Sequence, residues 1–320
     1  MPILSRRGLI AGALVTAGSR GRSGRAQERL APPSLPIGRP DLPAGAGFRI
    51  GHGFTTENSW YLPGYWHCGE DWYAIEGETA GALVLAMTAG EVVFVGSDYP
   101  GRVVILAHAD DLFSMYGHLD YEVPVAIGEQ VDAGQPLGTV LFRTDDAAPS
   151  HLHFEVRTFL TTTEVNGDAP RYGFGCGYQC QPGPGYWPID APDLPVDQGW
   201  RNPAHVYGTL LASVIDDLDP VAAAAPGVEG LAVWSGPPGD ADREELDSLK
   251  VNGDDRFSVL GVSHGDPDTR ETSAEAYHLW YEVDLGRRSG WVQALIPSSA
   301  QTGTDGRGSS LTGNVVLVTF

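Results

Sequence analysis

Lysine is almost missing from this chain: Lys250 is the only one in 320 residues. That excludes carriers that swing a prosthetic group on a lysine placed early in the chain. Basic charge is scarce in general, 20 Lys and Arg against 41 Asp and Glu, for a formal net charge of −21. No basic run in the folded part could track a phosphate backbone, so nucleic acid is excluded as a partner. Cysteine is limited to Cys68, Cys176 and Cys180, enough for one bridge and one leftover thiol. Long apolar runs are missing too; the longest, near the N-terminus, has about eleven residues and is too short to span a bilayer. No H-E-x-x-H run occurs, which removes the helix-borne zinc protease site.

What is abundant is glycine and proline, 42 and 24 residues. Together they disfavour long helices and favour short strands joined by tight turns, so the fold is expected to be all-β. Val- and Ile-rich segments bounded by Gly, Asp and Pro, such as 91–95, 102–107, 123–127 and 152–156, read as its strands.

Arg6 and Arg7 precede the weakly apolar run, and Arg20, Arg22 and Arg25 follow it. The arrangement resembles a twin-arginine export signal over residues 1–26, with Gly24 and Ala26 suited to a small-residue cleavage site. Its removal leaves 15 basic residues against 41 acidic, a net charge of −26. The mature protein is then expected in the periplasm or outside the cell, with no integral span left. Residues 27–47, holding Pro32, Pro33, Pro36, Pro40 and Pro43, read as a linker. A first β domain is expected over 48–207, a second linker over 208–226 around the run Ala222–Pro226, and a small β domain over 227–320.

Three short patterns inside the first domain carry chemistry: His67-Cys68-Gly69-Glu70-Asp71, Tyr116-Gly117-His118-Leu119 and His151-Leu152-His153-Phe154-Glu155. On a strand, His151, His153 and Glu155 share one face while Leu152, Phe154 and Val156 take the other. A bend at Gly69 lets His67 and Asp71 add an imidazole and a carboxylate. Two His and one Asp with water as fourth ligand make an open tetrahedral zinc site of catalytic type.

With these patterns, and with the runs TAGEVVFV (88–95), VVILAHADDLFSMYGH (103–118), GEQVDAGQPLGTV (128–140) and Asn202-Pro203, the chain resembles the lysostaphin-like (LytM-type) zinc metallopeptidases. The resemblance covers roughly 48–207 and implies an antiparallel, barrel-sandwich-like metallopeptidase domain holding one Zn2+ per chain. Carried over residue by residue, it implies His67, Asp71 and His153 as metal ligands and His151 and His118 as catalytic residues beside the attacking water and the scissile carbonyl. Which of the two histidines is the base stays open. The implied substrate is the stem peptides or cross-links of bacterial peptidoglycan. Alternatives are a Gly-rich protein or peptide as substrate, or a non-catalytic cell-wall-binding or regulatory module on the same scaffold. The rhythm of 128–140 also fits a lipoyl-type carrier, which the missing lysine removes.

Between Arg157 and Arg201 the chain departs from the family pattern with an insert at about 158–200, rich in Gly, Pro and aromatics; it reads either as a wall of the substrate groove or as surface elaboration. Cys176 and Cys180 are the most local cysteine pair, and Cys68 is read as a thiol beside the site, as a partner for the insert or as a further ligand. His52, His108, His205, His264 and His278 read as structural or solvated. Near the C-terminus, Trp280-Tyr281-Glu282-Val283, Gly286 and Ser289-Gly290-Trp291-Val292 resemble a divergent bacterial Src-homology-3-like barrel, a wall-binding or a packing module. From Gly208 onward 18 acids face 7 bases, which argues against a charge-driven grip on an anionic polymer.

Overall fold

The structure, a computed structural model, describes residues 31–57, 63–96, 101–109, 111–144, 149–160, 185–225, 228–272, 277–295 and 315–319. The twin-arginine segment, Cys176, Cys180 and insert residues 161–184 lie outside them.

Chain order begins with β1 (Ile37–Gly38), β2 (Phe48–His52), β3 (Tyr65–His67), β4 (Glu70–Ala74), β5 (Leu83–Leu85), β6 (Gly90–Gly96) and β7 (Arg102–Ala107). It continues with β8 (Phe113–Leu119), β9 (Gln130–Val131), β10 (Pro136–Thr139), β11 (Leu152–Arg157), β12 (Tyr186–Pro188) and β13 (Trp200–Arg201). Helix α1 (Pro203–Ala212) follows, then β14 (Val221–Ala224), β15 (Gly230–Trp234), β16 (Glu245–Lys250), β17 (Phe257–His264), β18 (Leu279–Asp284), β19 (Ser289–Gln293) and β20 (Val315–Thr319). The architecture is all-β, as the Gly and Pro content predicts, and its strand pairs are antiparallel, as the family resemblance implies. No helix among the described residues is long and apolar enough to cross a membrane.

The main sheet runs β2-β4-β11-β8-β7-β6-β9, with β13 added beside β11. Alternation gives it two different faces. One packs Ile50, Trp72, Phe154, Tyr116 and Val104 into the large core. The other carries a smaller cluster of Val103, Ile105 and Met115 at one end and, at the other end, the row His52, Asp71, His153, Gly117, joined strand to strand by direct pairing. Both faces of β11 are buried along its whole length, so its polar residues must be satisfied by partners rather than by water.

Within 27–47, read from the sequence as linker, Ile37 and Gly38 form β1 against β5, and Ile37 is fully buried. Within 208–226, α1 continues to Ala212 and β14 joins a seven-stranded sheet ordered β16-β15-β19-β18-β17-β14-β20. Asn202 caps α1, its side chain accepting from the His205 N–H, and Pro203 takes the first turn, where no amide donor is needed. The helix lies close on the C-terminal sheet: a Cβ added at Gly208 would fall 2.5 Å from the His264 Cβ. One core cluster therefore runs from Phe54 through Ala204 to Leu279 and Tyr281.

Candidate metal centre

Direct pairing of β11 with β4 sets His153 opposite Asp71, and β3 delivers His67 to the same point. The turn between β3 and β4 needs glycine: a Cβ on Gly69 would meet the Phe154 carbonyl oxygen at 2.4 Å. The three donors converge closely. His153 Nδ1 lies 2.9 Å from Asp71 Oδ1 and 3.0 Å from His67 Nε2, and His67 Nε2 lies 3.2 Å from Asp71 Oδ1. Ligands at zinc's usual ~2.0–2.1 Å span tetrahedral edges of ~3.3 Å, so this triangle is nearly one face of such a site. All three side chains are buried.

The hydrogen bonds behind the donors orient them as ligands require. His67 Nδ1 lies 3.3 Å from the Gly53 carbonyl, which leaves Nε2 facing Asp71. His153 Nε2 lies 2.7 Å from Glu155 Oε1, which leaves Nδ1 facing inward. Glu155 is held in turn by Arg157 Nε at 2.6 Å and Trp200 Nε1 at 2.7 Å, both donating to Oε2. The pKa directions agree with a cluster that favours positive charge. Burial alone would raise Asp71, but His67 and His151 outweigh it and hold the carboxyl well below its ordinary range. Burial would lower His153, but Asp71 and Glu155 outweigh it and raise the imidazole. The donor set fits a zinc ion.

His151 and His118 stand beside this triangle. His151 donates from Nδ1 to the Pro149 carbonyl at 2.8 Å, and its Nε2 lies 3.7 Å from Asp71 Oδ1. Burial pushes it down to about 4 against the pull of Asp71, so its Nε2 is an unprotonated acceptor at neutral pH. His118 packs edge-on to it at 4.6 Å between ring centroids. The φ of His118 is 62°, a left-handed conformation costing about 1–3 kcal/mol for such a residue, and the β7–β8 register shifts beside it. Such a bulge re-aims a side chain, here toward His151. All five residues singled out from the sequence thus come together in one place.

The sequence missed others. His52, read as structural or solvated, ends β2 opposite Asp71, with Nδ1 3.7 Å from Asp71 Oδ2. Its isolation between two glycines gave no local signal. Glu70, on the opposite face of β4 from Asp71, accepts from Trp72 Nε1 at 3.0 Å, Ala204 N at 3.1 Å and the Tyr277 hydroxyl at 3.2 Å. Tyr277 also accepts from Phe54 N at 2.6 Å. Burial raises Glu70 to about 8 despite those bonds.

Cys68 is a buried free thiol outside the donor triangle, so neither the extra-ligand nor the bridged reading holds. The end of the insert does reach the site. β12 pairs with β3, Tyr186 opposite His67 with its ring 5.5 Å away. Gly185 is so close that a Cβ would fall 2.3 Å from His153 Nε2. A separate G-x-S-x-G spacing, Gly261 to Gly265, lies in and just after β17 rather than on a strand-to-helix turn. Its Ser263 hydroxyl lies 2.8 Å from His278 Nε2, but no carboxylate bonds that ring among the described residues.

Residues 66–167, about a third of the chain, match the family model of peptidase family M23. Among solved structures, the catalytic domain of the prophage-encoded M23 protein EnpA from Enterococcus faecalis is 27% identical, over 36% of this chain and 85% of that one, with a TM-score of 0.30. The catalytic domain of lysostaphin from Staphylococcus simulans is 28% identical, over 34% and 80%, with a TM-score of 0.29. No curated protein matches the chain. M23 peptidases are zinc-dependent and typically hydrolyse cell-wall peptidoglycan. Residues 66–167 are a peptidase M23 family domain.

Proposed function

We propose that this chain is an exported zinc endopeptidase that hydrolyses peptide cross-links of bacterial peptidoglycan. One observation carries the reading. Three donors from β3, β4 and β11 meet at 2.9–3.2 Å with a neutral imidazole acceptor beside them.

His67, Asp71 and His153 would hold the metal. Bound zinc supplies a Lewis acid that polarises the scissile carbonyl and acidifies the attacking water. His151 accepts the proton of that water at Nε2 and returns it to the leaving amine, because its Nδ1–H is fixed on the Pro149 carbonyl. His118, oriented by its bulge against His151, donates to the oxyanion as it forms. Glu155 holds His153 in the tautomer whose Nδ1 is free to ligate. Tyr186 and the end of the insert wall one side of the groove.

In this reading residues 1–26 are a twin-arginine-type signal and the protein works in the periplasm or outside the cell. Residues 48–207 are the enzyme and 227–320 a Src-homology-3-like module.

The test incubates zinc-loaded mature protein with purified cross-linked muropeptides, with and without chelator, and reads products by mass spectrometry. Chelator-sensitive conversion of dimers to monomers is expected, and product masses identify the bond. A chain that holds stoichiometric zinc yet cleaves no muropeptide refutes the substrate.

A further inference from the structure

The C-terminal sheet has an aromatic outer face. Val233, Tyr281, Val283 and Val292 point into the core, so alternation turns Trp234, Trp280 and Trp291 outward. Trp280 is nevertheless only 6% exposed. Arg243, from the turn between β15 and β16, lies over it. The Arg243 Cζ is 3.8 Å from the Trp234 ring centroid and 4.5 Å from that of Trp280. Two indoles thus fix a side chain that is otherwise among the most mobile, and their faces favour its charge.

The anomaly is the missing acid. In a chain with 41 acidic residues, this guanidinium has no ion pair and no side-chain hydrogen bond among the described residues. Its Nε is the one buried side-chain nitrogen or oxygen there that lacks a partner. An unmet buried N–H is costly, and an acid on the same turn could meet it. Asp240 on that turn instead accepts from the Asp242 N–H at 3.1 Å, and Glu282, on β18, accepts from the Ser289 hydroxyl. The turn therefore holds its arginine ready and leaves it unpaired among the described residues.

We propose that Trp234, Arg243 and Trp280 form a second, non-catalytic ligand site that takes the carboxylate of a peptide. The guanidinium edge pairs with the carboxylate, and the indole Trp234 packs on the residue carrying it. The surroundings select a monoanion. With 18 acids against 7 bases from Gly208 onward, a multiply charged phosphate is repelled more than a single carboxylate.

The site is independent of the peptidase centre, and its test separates the two. The full zinc-loaded chain is titrated with acetyl-alanyl-alanine, with its C-terminal amide and with inorganic phosphate, following the Arg243 Nε–H and the Trp234 and Trp280 indole N–H signals by NMR. The free acid is expected to shift all three signals and to bind at least ten-fold more tightly than the amide or phosphate. Arg243→Gln should abolish that preference, Arg243→Lys should lose most of it, and His151→Ala should leave it intact. Equal binding of acid and amide, tighter binding of phosphate, or an unchanged preference in Arg243→Gln overturns the proposal. The comparison of acid with amide on the unmodified chain decides even if the variants do not fold.

Discussion

His205 offers a stability measurement whose size follows from its surroundings. It stands in the first turn of α1, buried against the C-terminal sheet, and both ring nitrogens are engaged in its neutral form. Nδ1 donates to the Asp266 carbonyl at 2.8 Å, and Nε2 accepts from the His278 backbone N–H at 3.0 Å. A second ring proton would face that N–H. Burial pushes His205 down to about 4, with His278 and His264 adding to the shift and Asp266 opposing it. The folded pKa lies below the unfolded value of 6.5, so below about pH 6.5 the unfolded chain takes up a proton that the folded chain refuses. Stability from this group is complete at neutral pH and falls as the solution is acidified through that window. The loss is about 2 kcal/mol at pH 5 and about 3 kcal/mol once pH falls below the folded pKa. Urea unfolding of the native chain and of His205→Gln from about pH 7.5 to 5 reads the effect as a difference, because titrations not coupled to His205 are common to both. The gap between the two should shrink or invert by about 2 kcal/mol on acidification. A gap that stays constant over that range refutes the neutral, doubly bonded His205.

Further outcomes follow from the site. His153→Ala should lose stoichiometric zinc, whereas His151→Ala should keep it and lose turnover; metal analysis beside a cleavage assay separates the two. Glu155→Gln should weaken zinc binding by about 10–100-fold, read by chelator competition, because it removes the carboxylate that fixes the His153 tautomer. Tyr277→Phe should cost about 1–3 kcal/mol in urea unfolding, since it strands the Phe54 N–H and removes a donor from Glu70. Gly185→Ala should lower zinc affinity while leaving secondary structure intact by circular dichroism, because its Cβ would press on the His153 ring.

What was legible in the sequence was local. Alternation in 151–156 placed His153 and Glu155 on one face with Leu152 and Phe154 on the other, and the glycine between His67 and Asp71 marked a bend. Glycine and proline content gave the all-β class. What was not legible depends on contacts between distant segments. His52 reaches Asp71 only through β2–β4 pairing, and Trp200 reaches Glu155 across 45 residues. Glu70 meets Tyr277 across 207 residues, and no spacing rule links them. Arg157, just past the strand read over 152–156, drew no attention in the sequence, yet it is 1% exposed because Glu155 and Met115 receive it. The 208–226 segment reads as linker by composition, but Ala222–Ala225 are small enough to be buried whole.

The cross-strand placement of Asp71 and His153 also fixes an order of events. They are 82 residues apart in the chain and become neighbours only when β4 and β11 pair in one register. A slip of a single residue would turn Glu70 toward His153 and carry Asp71 to the apolar side. The unfolded chain therefore offers no preformed seat for a cation, so uptake of an ion by these three residues would be a late checkpoint that only correctly closed molecules pass. A bound ion would act as a lock on that closure, holding together the most long-range pairing of the main sheet.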